Sequence, residues 1–390
     1  MALIDLILIF IGFLTVYNFL IYPVLLKFLS FIIPAQIQPD LKDKPDITFI
    51  LAAFNEELLI EEAIKSILNS DYPTAKINII IGSDGSTDKT NEILSKIAKS
   101  NSNIKFVELS RGGKNIVLNT IVPDAQTDII LFMDADVRLN VDTVSNLIKY
   151  FSNDNVGGVI ASQKVVGDGT TVNAGSEGDS LYHRYEENIR INEAIIDSNV
   201  NSLGYLYAIR KEYFIPIPNN FVCDDLHNVY SVLRSKKRML FACEAKAYEI
   251  RPKSLSNEYH RRVRAVAGGW ATVVYHKELL NIFQFGITSF FIWSHKIFRW
   301  LSPVFMFALV ITTIVGFFYN SSLIYIFAIP QLLLYSMALL GFIFEKMRFN
   351  ISILRLFVFF VSMNYSSLLG LIRFIKKQQN AIWNREGFSD

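Results

Sequence analysis

Short apolar runs alternate with segments of helical spacing between residues 47 and 161. The runs have strand length and are rich in Ile and Val, which is typical of buried strands. They cover residues 47–52, 77–81, 104–109, 129–133 and 156–161. Helical spacing follows over residues 56–69, from Thr87 and from about Asn115. This order predicts an α/β fold, with a mostly parallel sheet and helices on both faces.

Long apolar segments lie at both ends of the chain. Residues 3–33 are almost wholly apolar, and no cleavage site follows them, so we expect a retained anchor. Three later segments also approach the roughly 20 residues that cross a membrane: residues 303–319, 323–344 and 351–372. Residues 282–302 are apolar and aromatic with a few cations. They predict a helix on the membrane surface or, alternatively, a core helix of the α/β domain.

These patterns divide the chain into five parts. The predicted parts are an anchor (1–34), an α/β domain (35–281), an interface helix (282–302), membrane helices (303–375) and a tail (376–390). Lys and Arg are in excess over residues 251–300, which places the α/β domain on the cytoplasmic side. The basic tail conflicts with four full spans. Either the charge rule fails here and residues 351–372 span, or this segment lies at the interface or re-enters the membrane.

Composition limits the class of protein further. Hydrophobic residues make up 51% of the chain, charged residues 19%, and the formal net charge is +2. A chain without a strong basic excess is not expected to bind nucleic acid. Cys223 and Cys243 lack the spacing of metal ligands, and we expect both to be buried thiols.

Carboxylates follow three of the predicted strands. Glu56, Asp84 and the pair Asp134 and Asp136 each come just after an apolar run. Parallel sheets bind ligands at the carboxyl ends of their strands, so these side chains are expected to lie together. Asp134 and Asp136 are two residues apart, which suits a hard cation, Mg²⁺ or Mn²⁺, that also holds substrate phosphates. Helix capping is the structural alternative for each site alone.

Three further groups carry candidate chemistry. Lys114 follows two glycines at a predicted helix start, a position that favours anions. Asp224 and Asp225 open another helix, where they are either caps or a general base. Arg261 and Arg264 share one helix face and could clamp a diphosphate, or they could contact anionic lipid.

The ordered set of motifs resembles the membrane-bound, processive family 2 glycosyltransferases, such as cellulose, hyaluronan, chitin-oligosaccharide and poly-N-acetylglucosamine synthases. The resemblance runs from about Ile47 to Leu301. It rests on AAFNEE, SDGSTD, RGGK, DAD, the Asp224-Asp225 pair, RRVRAVAGGW and SHKIFRWLSP. It implies a GT-A fold. Arg261 stands where these relatives commonly have Gln, and Ala265 where they commonly have Trp.

The resemblance also implies roles for single residues. Asp225 would be the catalytic base, Asp136 would hold the metal, and Asp134 would hold the nucleotide and share the metal. The other implied donor contacts are Asn55, Glu56, Asp84, Lys114, Arg261, Arg262 and Arg264. The implied acceptor contacts are Asp224, Gly204 and Trp270.

The activity that follows is inverting transfer from a UDP-sugar, dependent on Mg²⁺ or Mn²⁺, at the cell membrane. The first expectation for the product is a β-linked polysaccharide that is extruded through the membrane helices. The alternative is transfer of one sugar to a membrane lipid. A receptor or transporter with a nucleotide-sensing domain is a third class, and it predicts binding without release of UDP.

Overall fold

The computed structural model describes residues 3–33, 37, 44–166, 174–250, 255–347, 349 and 351–378. The predicted tail therefore lies largely outside the described residues. The described residues form eight strands: β1 Ile47–Ala53, β2 Ile77–Asp84, β3 Ile104–Leu109, β4 Ile129–Met133, β5 Val137–Leu139, β6 Val156–Val166, β7 Leu206–Arg210 and β8 Arg238–Ile250. The five strands expected from the sequence all form, and the structure adds three more.

The helices of the α/β domain are α3 Ile60–Leu68, α4 Thr90–Ser100, α5 Lys114–Ile121, α6 Thr143–Ile148, α7 Ala174–Ile196, α8 Asp224–Arg234 and α9 Leu255–Tyr275. Flanking them are α1 Leu3–Val16, α2 Tyr22–Ile32, α10 Ile282–Phe291, α11 Phe298–Phe318, α12 Ile324–Lys346 and α13 Ser352–Ile375. Two π-helical turns, Tyr17–Ile21 and Ile292–Ile297, join α1 to α2 and α10 to α11. Short 3-10 turns occupy Thr74–Lys76, Val122–Asp124, Lys149–Ser152, Lys211–Tyr213 and Lys277–Leu280.

The sheet has the strand order β3-β2-β1-β4-β7-β6-β8-β5. Strands β3, β2, β1 and β4 run parallel, and β7 joins β4 antiparallel. Strand β6 pairs antiparallel with β7 and parallel with β8. The predicted α/β fold with a GT-A-like sheet is confirmed. Because β1, β2 and β4 point the same way, the segments that follow them meet at one sheet edge.

The two faces of the sheet bury different side chains because successive residues of a strand point to opposite faces. On β1, Phe49 and Leu51 join one core cluster, while Ile50 and Ala52 join the other. The second cluster also contains Tyr22 from α2 and Trp300 from α11. One core is therefore continuous between the sheet and the helices that lead towards the membrane.

Four helical segments are long and apolar enough to cross a membrane: Leu3–Ile32, Ile282–Phe318, Ile324–Lys346 and Ser352–Ile375. The second segment begins at residue 282, so the predicted interface helix continues directly into a helix that is long and apolar enough to cross a membrane. Gly286, with φ of 52°, kinks it near its start. Helix α1 packs along α11, and α13 packs against α9 and α12.

Candidate active site

The loops that follow β1 and β2 are bonded to each other. The Asn55 side-chain oxygen accepts the backbone N–H of Thr87 at 2.8 Å. The backbone N–H of Glu56 donates to Thr90 Oγ1 at 2.8 Å. Helix α4 begins at Thr90, so neither Ser86 nor Thr87 caps it, and the capping alternative does not apply to these two residues. These polar residues therefore join two loops at the sheet edge.

Asp84 at the end of β2 is completely buried and holds the next loop in place. Its Oδ1 accepts the backbone N–H groups of Gly112 at 2.7 Å and Gly113 at 2.9 Å. The Arg111 guanidinium forms an ion pair with its Oδ2. Gly113 has φ of 100°, a conformation that L side chains rarely adopt, so glycine suits this turn. The role implied for Asp84 was donor contact, and what it binds in the structure is the loop before α5.

Lys114, the first residue of α5, joins the two halves of the site. Its ammonium lies 2.8 Å from Asp134 Oδ1 and 3.1 Å from Asp224 Oδ2. Burial disfavours the charge on Lys114, but the two carboxylates outweigh it and raise the pKa of Lys114 well above its ordinary value. Lys114 is thus held as a cation between the strand β4 end and the start of α8.

Asp134 and Asp136 lie in the turn between β4 and β5 rather than in a strand. Strand alternation therefore does not decide where their side chains point, and the turn does. The backbone N–H of Asp134 donates to the carbonyl of Tyr205 at 3.1 Å. Both residues are partly exposed, as a ligand site requires.

The donor set for a cation at this turn is small. Within the described residues, no group of three or more His, Cys, Asp or Glu is arranged to hold a metal ion. Mg²⁺ needs only one or two carboxylates when substrate phosphates and water supply the other ligands. Asp136 and Asp134 fit such a cation, and they do not fit one held by protein alone.

The surroundings of Asp225 raise the pKa of its carboxyl group. Burial and then the neighbouring Asp224 raise the pKa of Asp225 to about 6, against an ordinary 3.8. Lys114 and the backbone N–H of Leu226 act in the opposite direction. A carboxylate with a pKa near 6 is ionised at neutral pH and basic enough to accept a proton.

Gly204 lies directly against this carboxylate. Its φ is 75°, and a Cβ added there would lie 3.1 Å from Asp225 Oδ2. The structure thus brings one predicted acceptor contact, Gly204, to the predicted base. A second, Asp224, is adjacent in sequence and bound to Lys114.

The third predicted acceptor contact, Trp270, packs against aromatic rings of α11 and α13. Its ring centroid lies 5.4 Å from that of Trp300 and 6.3 Å from that of Phe374. The contacts of Trp270 are therefore those of a packing residue between α9, α11 and α13.

The arginines of α9 face different surroundings. The Arg262 guanidinium lies over the rings of Phe359 at 4.9 Å and Tyr182 at 5.7 Å, beside α13. Arg264 interacts electrostatically with Cys223, the residue before Asp224. Arg261 and Arg264 are three residues apart and share a helix face. Arg264 therefore lies within electrostatic reach of the start of α8.

Two residues near the site were not assigned roles from the sequence. Arg111, which binds Asp84, also stacks 3.5 Å from the Phe54 ring centroid. Lys296 hydrogen-bonds to Asn201 and interacts electrostatically with Asp225. A lysine inside a largely apolar segment was the available signal for Lys296.

The expectation that Cys243 is buried is wrong, because it lies exposed where β8 bulges out of register with β6.

Part of the α/β domain is similar to known proteins. Residues 48–213 match the family described as glycosyl transferase family 2. A β-monoglucosyldiacylglycerol synthase of Nostoc sp. is 35% identical over 118 residues, which is 30% of this chain and 25% of that protein. A poly-β-1,6-N-acetyl-D-glucosamine synthase of Staphylococcus aureus is 34% identical over 154 residues, 35% of this chain and 37% of that protein. The matches thus span well under half the length of these relatives.

A solved structure agrees with the fold over a greater length. It is a mannosyltransferase from Pyrobaculum calidifontis in complex with GDP-Man and Mn²⁺, with a TM-score of 0.72 and 18% identity. The alignment covers 97% of this chain and 100% of that one. At this identity the likeness establishes the fold. Residues 48–213, which match glycosyl transferase family 2, include the sheet edge where Asp84, Lys114 and Asp134 lie.

Proposed function

We propose that this protein is an inverting glycosyltransferase that moves a sugar from a UDP-sugar to an acceptor at the membrane. The observation that carries the proposal is the arrangement around Lys114. This cation joins Asp134, on the family 2 sheet edge, to Asp224, beside the base candidate Asp225. Donor and acceptor sides of a transfer site are thereby held next to each other.

Asp225 performs the proton transfer in this mechanism. It takes the proton of the acceptor hydroxyl as that oxygen forms a bond to the anomeric carbon of the donor. The bond from that carbon to the diphosphate breaks on the opposite side, and UDP leaves. Inversion at the carbon converts an α-linked donor into a β-linked product. The pKa of about 6 leaves Asp225 ionised at pH 7.

Positive charge near the departing diphosphate comes from this chain and from a cation. Lys114 and Arg264 are the side chains proposed to face the diphosphate, with Arg261 on the same helix face as Arg264. Asp136 and Asp134 would hold Mg²⁺ or Mn²⁺, which neutralises charge on the leaving group when bound. The remaining proposed donor contacts are Asn55, Glu56, Asp84 and Arg262.

The proposed product is a β-linked polysaccharide, and transfer of one sugar to a lipid is the alternative. The named relatives include one of each kind, a poly-β-1,6-N-acetyl-D-glucosamine synthase and a β-monoglucosyldiacylglycerol synthase. Both readings use four membrane helices and a cytoplasmic domain of residues 35–281. The continuity of the interface segment with α11 supports an acceptor that approaches from the membrane.

The test is purified protein incubated with a panel of UDP-sugars, GDP-mannose, and Mg²⁺ or Mn²⁺. Release of nucleoside diphosphate supports transfer, and the size of the product separates a polymer from a single organic-soluble glycolipid. Asp225→Asn is expected to lose turnover while keeping donor affinity, and Asp124→Asn, an exposed carboxylate remote from the site, is the matched control. Normal turnover in Asp225→Asn would exclude the proposed base.

A further inference from the structure

The segment of residues 197–204 forms one wall of the catalytic site. Gly204 at its end lies against Asp225, and the next residue, Tyr205, accepts the backbone N–H of Asp134. Within the segment, the Asn201 side-chain oxygen accepts the backbone N–H of Ser202 at 2.9 Å. A shift of this wall would therefore move groups that contact the Asp225 carboxylate and the backbone of Asp134.

Two side chains from the segment that leads into α11 hold this wall. Thr288 Oγ1 donates to Asp197 Oδ2 at 2.7 Å, at the start of the wall. The Lys296 ammonium donates to Asn201 Oδ1, the same oxygen that accepts from Ser202. The wall is thus fastened at two points to the helix that enters the membrane.

Lys296 is buried, and burying an ammonium group is unfavourable because it loses hydration free energy. Only 9% of it is exposed, and its ammonium lies 5.6 Å from the centroid of the Trp300 ring. Its hydrogen-bond acceptor is the neutral amide of Asn201. Among the described residues, no carboxylate forms an ion pair with it, although it interacts electrostatically with Asp225 and Glu193. A buried cation held by a neutral partner contributes poorly to stability alone.

We infer that Lys296 is a positioning residue for catalysis: through Asn201 it fixes the wall of residues 197–204 beside Asp225 and adds positive charge there. The inference rests on the proposed function of Asp225. The other charged or titratable groups that face Asp225 are Asp224, Lys114, Tyr207 and Cys223.

The experiment compares Lys296→Met, Lys296→Arg and Asn201→Ala in the full-length protein in membranes. Lys277→Met, at an exposed lysine before α10, is the control. Lys296→Met is expected to lower kcat about 10- to 100-fold with little change in the donor KM, because misplacement of about 1 Å has effects of this size. Removing a cation also raises the pKa of Asp225, so the acid limb of kcat/KM should move up by roughly 0.5 to 1 pH unit.

The other variants separate position from charge. Lys296→Arg should restore most of kcat and return the acid limb towards that of the wild type. Asn201→Ala should lower kcat while moving the acid limb less than Lys296→Met does, since the cation remains and only the hydrogen bond from Ser202 to Asp225 is disturbed. Wild-type kcat and an unshifted acid limb in Lys296→Met would overturn the inference, as would a fall in kcat that Arg fails to rescue.

Hydrogen exchange gives a readout that does not require turnover. Lys296→Met should speed amide exchange over residues 199–204, where Lys277→Met should not. Unchanged exchange there overturns the inference even if the wild-type protein releases no nucleotide. Absence of nucleotide release from the wild type, by contrast, refutes the proposed function.

Discussion

Replacing Asp225 by Asn should make the protein more stable at neutral pH while removing its activity. The pKa of this carboxyl is about 6 in the folded protein, because burial and Asp224 disfavour its charge, against an ordinary 3.8. The folded state therefore binds a proton more tightly than the unfolded chain does. The difference between the two pKa values corresponds to about 3 kcal/mol.

The sign follows from linkage. The contribution of Asp225 to stability is fully present below pH 3.8 and is lost as the pH rises through 6, where the folded protein must hold a buried charge. At pH 8 the neutral amide of Asn avoids this loss of about 3 kcal/mol. The expected rise in melting temperature is several degrees, roughly 5 °C for a protein of this size.

The assay is thermal unfolding in detergent at pH 5 and pH 8, together with UDP release across the same range. Wild-type kcat/KM should rise with pH through about 6 and then level off, because the base must be ionised. The Asn variant should lose about 100-fold or more in kcat. Asp224→Asn is the contrast, since it leaves Lys114 with one carboxylate fewer and should melt lower. An Asn variant that melts below the wild type at pH 8 would refute the account of Asp225.

Three other perturbations test the surroundings of the site. Lys114→Met removes a cation that lowers the pKa of Asp225, so the acid limb of kcat/KM should move above pH 6; an unmoved limb would contradict this contact. Asp84→Asn leaves buried N–H donors and the Arg111 guanidinium with a weaker partner, so the free energy of unfolding should fall by about 3–5 kcal/mol and the donor KM should rise. An unchanged melting temperature would exclude the role of Asp84 in holding the loop before α5. His276 Nε2 lies 3.1 Å from His227 Nδ1, and both rings are buried. Burial lowers the pKa of His227 to about 4 and that of His276 to about 3, from the ordinary 6.5. The two histidines therefore lower stability as the pH drops from 6.5 towards 4, since the folded protein resists protonating them. The melting temperature of a variant with both replaced by Gln should fall less over this pH range than that of the wild type. An equal fall would show that other groups are responsible.

Local patterns in the sequence were sufficient for much of the fold. The strands Ile104–Leu109 and Ile129–Met133 lie where their apolar runs predict them, because burial on both faces requires continuous apolar residues. Strand β7 was not predicted, although it inserts antiparallel beside β4 and begins two residues after Gly204. Pairing across the sheet is decided by distant parts of the chain, which a local pattern does not contain.

The candidate site, like the fold, could be predicted from the sequence only in part. Carboxylates after parallel strands had to meet at one sheet edge, so the neighbourhood of Asp84 and Asp134 followed from residue order. That Lys114 bridges Asp134 to Asp224 did not follow, because residues 114 and 224 are distant in sequence and come together only in the folded chain. Partner identity and burial set a pKa, so no motif could have given the value of about 6 for Asp225.

The α/β domain, the apolar helices at both ends and the residue types gathered at the sheet edge could be predicted from the sequence, because they follow from periodicity and from the direction of parallel strands. Which side chains touch depends on how separate elements pack in space, and a local pattern does not contain that information. In the folded protein Asp84 binds the loop before α5, and Trp270 packs among aromatic rings. The same packing brings Lys296, from the segment that leads into α11, to the wall beside Asp225.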